Sequence, residues 1–105
     1  MRLMGKEQDM FVLLVKYKCK PGCRQAYFDA IMNNRIDEMS RSEEGCIRYE
    51  YSYGIADDEL ILTEVWKDAQ AIEFHKNSDH FAKLGDLKAK YVENTEIMKF
   101  SADKV

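Results

Sequence analysis

The sequence predicts an α+β fold: one four-stranded antiparallel sheet with helices on one face, wound in the order β-α-β-β-α-β. Three observations predict it. Residues 46–53 and 59–67 are strand-like runs separated by a short Gly- and Asp-bearing turn, which reads as a hairpin. A helical period precedes that hairpin and another follows it. Strand-like runs also open and close the pattern, at residues 10–18 and 96–100. Right-handed crossovers fold this order into the split βαβ arrangement of ferredoxin-like domains.

Residues 1–9 carry mixed charge and no period, so they read as a loose arm before a single domain over 10–105. The run from Met10 to Lys18 is apolar on both alternation sets and β-branched at Val12 and Val15, as a central strand should be. Lys20-Pro-Gly22 breaks it. From Cys23 to about Ser42, the residues Phe28, Ile31, Met32, Arg35 and Met39 follow helical spacing, predicting one amphipathic helix of about five turns. Glu43-Glu-Gly45 should end it, with Gly45 suited to a left-handed C-terminal position. Cys46 to Tyr53 alternates strictly, with Ile47, Tyr49, Tyr51 and Tyr53 on one side. After the turn at 54–58, Leu60, Leu62, Glu64 and Trp66 share a strand face. Asp68 should cap a helix on which Ile72 and His75 lie at i and i+3. Ser78 should cap the next helix, turning Phe81, Leu84 and Leu87 or Tyr91 inward. A first strand apolar on both sides needs a partner for the uncovered sheet face, which predicts a homodimer formed sheet to sheet.

The whole chain narrows the function classes. At 105 residues it is one domain with room for a single core. A net charge of -3 without a basic cluster argues against nucleic acid as the main partner. No apolar run approaches the ~20 residues of a membrane helix, and the polar start lacks the apolar stretch of a signal peptide. A cytoplasmic protein is the expectation. Cys19, Cys23 and Cys46 are an odd set without C-x-x-C spacing, so they read as free thiols. The glycines are scattered, giving no phosphate loop. His75 and His80 lie five apart across a helix break and do not make a metal-binding face. No cofactor or metal is expected.

Candidate chemistry gathers between Glu64 and Phe81. An inward Glu64 would be a buried carboxylate needing a partner or a raised pKa, and His75 on the adjacent helix is the expected partner. Such a pair could transfer protons or simply tie helix to sheet. His80, near a helix start, could meet a ligand or its own first turn. Tyr49, Tyr51 and Tyr53 could line a pocket for an aromatic ligand or pack within a core or dimer interface.

Three blocks, Glu44-Gly-Cys-Ile-Arg-Tyr-Glu50, Glu64-Val-Trp-Lys-Asp68 and Ala71-x-x-x-His75-x-x-Ser78-x-His80-Phe81, together resemble the antibiotic biosynthesis monooxygenase (ABM) domain. The likeness covers about residues 10 to 100. It implies a dimeric α+β barrel. Members of that family act as cofactor-free monooxygenases on quinols and polyketide anthrones, as haem-degrading oxygenases, or as an isomerase of a phosphorylated signal. In this chain Trp66 matches the family's strand-end aromatic, His75 and His80 its helix histidines, and Phe81 the aromatic that follows. The first strand offers no Asn and the helix after Phe81 no His, which departs from the haem-degrading pattern. The resemblance thus implies a cofactor-independent monooxygenase for a small quinol-like or polyketide-like aromatic. His75 would be its base and Glu64 the orienter, with Trp66, Tyr49, Tyr51, His80 and Phe81 around the substrate. An isomerase of a phosphorylated or dicarbonyl metabolite, and a non-enzymatic small-molecule-binding dimer, are the competing expectations.

Overall fold

Four antiparallel strands and two pairs of helices make up the structure, a computed structural model that describes residues 10–103 and 105. The arm expected at 1–9 lies outside the described residues. The elements are β1 (Met10–Cys19), α1 (Arg24–Asn33), α2 (Ile36–Arg41), β2 (Cys46–Tyr53), β3 (Glu59–Trp66), α3 (Ala69–Lys76), α4 (Asp79–Tyr91) and β4 (Val92–Ala102). The sheet order is β2-β3-β1-β4, the ferredoxin-like order that the sequence predicts.

Alternation decides the two faces of the sheet. Val15, Tyr17 and Cys19 of β1 and Leu60, Leu62, Glu64 and Trp66 of β3 are buried under the helices. The register lines these residues up in rows across the strands. One row runs Tyr49, Glu64, Leu13, Lys99, and the next runs Tyr51, Leu62, Val15, Ile97. The opposite face is uncovered, and Leu14, Met98 and Phe100 stand exposed on it.

Four local features differ from the sequence expectation. The first helix is broken. Asn34 donates from Nδ2 to the Ala30 carbonyl oxygen at 2.8 Å, and Arg35 turns left-handed with φ 56°. The break shifts the helical phase, so Ile36 and Ser40 enter the core while Met39 points outward. In β2 a bulge between Cys46 and Arg48 takes Ile47 out of the tyrosine stripe and leaves it exposed. β4 begins at Val92, directly after α4, rather than at Glu96. Gly45 is not left-handed; among the described glycines only Gly22 is, with φ 76° in the turn after β1.

The helix starts agree with the sequence. Asp68 Oδ1 accepts from the Ala71 N–H at 2.8 Å, and Ser78 Oγ accepts from the Phe81 N–H at 3.2 Å. The three cysteines are free thiols. Among the described residues no helix is long and apolar enough to cross a membrane.

Gly45 is needed for closeness. A Cβ placed on it would lie 2.2 Å from the Ala71 Cβ, so only glycine lets the start of β2 pass beneath α3. Gly45→Ala is therefore expected to destabilise the protein by about 1–3 kcal/mol through overpacking. Urea unfolding of the two proteins measures this, and equal midpoints would refute it.

Candidate active site

α3 and α4 bridge the sheet over the rows containing Glu64 and Val15, and the space they leave is a cavity of about 330 Å³. Its floor is Leu13, Val15, Tyr17, Tyr49 and Glu64, and its roof includes Ile72, His75, Phe81 and Leu84. Lys76, Lys88 and Lys99 also line it, and Thr95 and Ile97 of β4 complete the wall. The size is within the lower range of small-molecule sites.

His75 stands among rings. Its imidazole centroid is 4.7 Å from that of Trp66, 5.3 Å from Phe81 and 5.6 Å from Tyr49. Its polar partner is a carboxylate from the far side: His75 Nδ1 is 2.7 Å from Glu43 Oε2. The same oxygen is 2.6 Å from His80 Nε2. Glu43 is fixed by the turn that closes α2, where its carbonyl accepts from the Cys46 N–H at 3.0 Å and its N–H donates to the Ser40 carbonyl at 3.2 Å. The Gly45–Ala71 approach brings that turn against α3, where His75 lies one helical turn beyond Ala71. With Glu43 ionised, the Nδ1 proton of His75 points at it and Nε2 remains for a ligand.

Glu64 has a different partner from the one the sequence suggests. Its Oε1 accepts from the Trp66 Nε1–H at 2.9 Å, and Glu43, not Glu64, is bonded to His75. The two groups still share the cavity, Glu64 on the floor and His75 on the roof. Burial pushes the Glu64 carboxyl up to about 7, with the charge of Glu43 adding to the rise and the indole hydrogen bond opposing it. Burial likewise pushes His75 below its ordinary value, against the pull of Glu43, so its neutral, proton-accepting form prevails at neutral pH. Burial raises the Tyr49 hydroxyl, keeping it a phenol.

The remaining sequence candidates divide. Tyr49 and Phe81 line the cavity. Trp66 is fully buried behind His75 and is not part of the lining. Tyr51 is half-buried, edge-on to Tyr49 at 5.7 Å, and also off the lining. His80 faces a separate surface cleft with Glu43. The residue that sequence reasoning missed is Glu43. One signal was available: a carboxylate beside a helix C-terminus opposes the helix dipole, which suggests that its reason lies elsewhere in the fold.

Glu43, His75 and His80 are also the one group among the described residues whose ligating atoms, all within 4.8 Å, could hold a cation. The spacing in sequence hides this set, because Glu43 is 32 residues from His75 and 37 from His80. Both ring nitrogens are aimed at one carboxylate oxygen at hydrogen-bond distance. That is the geometry of a shared acceptor, and a cation would have to take the place of that oxygen.

The family model for antibiotic biosynthesis monooxygenase matches residues 10–86. The uncharacterised protein sll1783 of Synechocystis is 31% identical over 90 residues, covering 81% of this chain and 60% of that protein. The match therefore spans less than two thirds of that relative's length. YcnE of Bacillus subtilis, a candidate monooxygenase, is 30% identical over 73 residues, covering 69% of this chain and 75% of YcnE. The crystal structure of PA3566 from Pseudomonas aeruginosa is similar in fold, with a TM-score of 0.81 at 23% identity, covering 91% of this chain and 96% of that one.

The raised carboxyl has a thermodynamic consequence. Between about pH 4.5 and 7 the folded state holds a proton on Glu64 that the unfolded chain has released, so stability falls as pH rises through this window. The loss attributable to Glu64 is on the order of 3 kcal/mol. Glu64→Gln keeps an acceptor for the Trp66 N–H and removes the charge. Denaturant unfolding at pH 5 and pH 8 should show a smaller loss in this variant than in the wild type; parallel losses would contradict the assignment.

Proposed function

The chain belongs to the antibiotic biosynthesis monooxygenase family, and on that footing we propose that it is a cofactor-independent monooxygenase acting on a small quinol-like or polyketide-like aromatic. The observation that carries this reading is a ring-lined cavity with one neutral imidazole on its wall, held in a single tautomer by a buried carboxylate.

In this reading His75 Nε2 takes a proton from the bound phenol or from an acidic ring carbon, and the electron pair stays on the substrate. Glu43 orients the ring and stabilises the imidazolium, the part expected of Glu64 from the family resemblance. Glu64, half-protonated near neutral pH, faces the same space and can donate to an oxygen of the substrate. The anion then reduces oxygen directly. For a methylene substrate the balance is one CH₂ and one O₂ giving one C=O and one water, with both oxygen atoms accounted for. The apolar floor excludes water from the anion. Tyr49 and Phe81 act as walls, and Trp66 and Tyr51 support them from behind.

The lysines at the cavity favour a second reading, isomerisation of a small phosphorylated or dicarbonyl metabolite by the same acid–base groups. Lys88 and Lys99 have no carboxylate partner among the described residues, and an anionic substrate would meet them. The third expectation, a non-enzymatic small-molecule-binding dimer, needs the same cavity and is separated from the other two by turnover.

The reading includes a cytoplasmic homodimer. Leu14, Met98 and Phe100 form an apolar strip on the uncovered sheet face, which a second copy would cover. Light scattering at micromolar concentration should return twice the chain mass, and a monomer would remove the dimer.

Oxygen uptake with a panel of quinols and anthrones tests the reaction. His75→Ala should lower kcat about 10²–10⁴-fold, the range of a lost general base, while Trp66→Phe keeps more activity. No uptake by the wild type together with isomerisation of a phosphorylated ketose would favour the second reading. Equal oxygen uptake by wild type and His75→Ala would exclude His75 as the base.

A further inference from the structure

The Glu43–His75–His80 cluster joins two openings of the molecule. His75 lines the cavity, whereas Glu43 and His80 line a shallow cleft on the surface together with Arg35, Glu38, Met39 and Glu44. His75 does not reach that cleft, and Glu43 and His80 do not reach the cavity. One hydrogen-bonded path connects them, His75 Nδ1 to Glu43 Oε2 at 2.7 Å and Glu43 Oε2 to His80 Nε2 at 2.6 Å. The side chains along it are 4%, 5% and 12% exposed, so solvent reaches the path chiefly at its His80 end.

From this geometry we infer that Glu43 and His80 form a proton outlet, through which a proton taken up by His75 in the cavity leaves into the separate surface cleft. The inference rests on the reading of His75 as the base. His75 Nε2 accepts the substrate proton, and the substrate keeps the electron pair. The Nδ1 proton of His75 then moves to Glu43 Oε2. His80, whose Nε2–H donates to Glu43 at rest, shifts through the cleft water to the tautomer that carries its proton on Nδ1; the freed Nε2 then takes the proton from Glu43, and the Nδ1 proton goes to water in the cleft. Glu43 ends ionised and both imidazoles end neutral, His75 in its opposite tautomer and His80 again with its proton on Nε2. When the oxygen adduct takes the Nε2 proton of His75, one proton returns along the same path and restores the start. The positive charge is thereby removed from the cavity while the substrate anion meets oxygen, and the anion no longer faces an imidazolium ready to reprotonate it.

Two other observations agree with this direction. The ring enclosure by Trp66, Tyr49 and Phe81 leaves His75 few other polar routes. The cleft holds charged groups of both signs, Arg35, Glu38 and Glu44, around the point where the proton would emerge. His80 touches no reacting atom in this scheme and acts through Glu43 and His75.

The test has two readouts on the intact chain, with His80→Gln and His80→Phe. The first needs no turnover: nitrogen-15 NMR measures exchange of the His75 Nδ1 proton with water, expected about tenfold slower in His80→Phe than in the wild type, within the usual scale of a proton-transfer effect. The second follows loss of deuterium from anthrone labelled at its methylene carbon, without oxygen. Here both variants should lose kcat with KM unchanged, and added imidazole should restore it, as it would not for a variant that was merely distorted. Wild-type washout that is absent while NMR exchange still depends on His80 would refute His75 as the base and leave the outlet standing. Exchange rates equal in all three proteins would overturn the outlet, whatever the washout shows.

Discussion

Glu43 Oε2 accepts two imidazole N–H groups from two successive helices, and much of the molecule is arranged so that it can. A hydrogen bond to a charged acceptor contributes about 1.5–3 kcal/mol, and here two share one buried oxygen. Removing the carboxylate would leave the buried His75 imidazole and the partly buried His80 imidazole without their acceptor, a larger loss than the bonds alone suggest. The pair also fixes how α3 and α4 sit on the sheet. α3 is only eight residues long and could not hold its place by helical propensity. It is held by Asp68 at one end, by the close approach of Ala71 to Gly45, and by His75 to Glu43.

The second buried carboxylate behaves in the opposite way. Glu43 Oε2 is shared by two imidazoles while its Oε1 is buried without a partner, and Glu64 has one indole donor and sits where burial favours its neutral form. Two carboxylates with unlike partners, one bonded to the imidazole and one to the indole, divide the work of orienting a base and holding a proton. Trp66 connects the two halves: its N–H goes to Glu64 and its ring stacks obliquely on His75. Its importance is therefore positional, since it forms no part of the cavity surface.

Much of this was legible in the residues, and the boundary of legibility is physical. Alternation in Leu60–Trp66 turned Glu64 inward, and Asp68 and Ser78 marked the helix starts, because side-chain periodicity and capping are local. The sheet order followed from the order of elements and the handedness of crossovers. The break at Arg35 was not legible, since a left-handed arginine contradicts its intrinsic preference and is sustained by the packing of Ile36 and Ser40. The bulge at Ile47 was invisible for a similar reason: strict alternation in sequence says nothing about an unpaired residue in the ladder. The Glu43–His75 partnership lay beyond reach because it spans 32 residues and is made by the fold. Inwardness could be read; partnership could not.

The direct passage of α4 into β4 limits what the cavity can admit. Tyr91 is the last residue of the helix and Val92 the first of the strand, and the Tyr91 carbonyl is tied to the Lys20 N–H at 2.9 Å. α4 supplies Phe81, Leu84 and Lys88 to the cavity, and β4 supplies Thr95, Ile97 and Lys99. The two lips of the opening are thus consecutive pieces of one chain meeting at a pinned corner, like the blades of a pair of shears at their rivet. Such a mouth cannot widen by letting out slack at the corner, because no loop is stored there. The far end, where Phe81 and Lys99 stand, is fastened as well, through His80 to Glu43 and through the pairing of Lys99 with Leu13. A guest would meet a mouth of nearly fixed width, and a ring too broad for it would be turned away rather than accommodated.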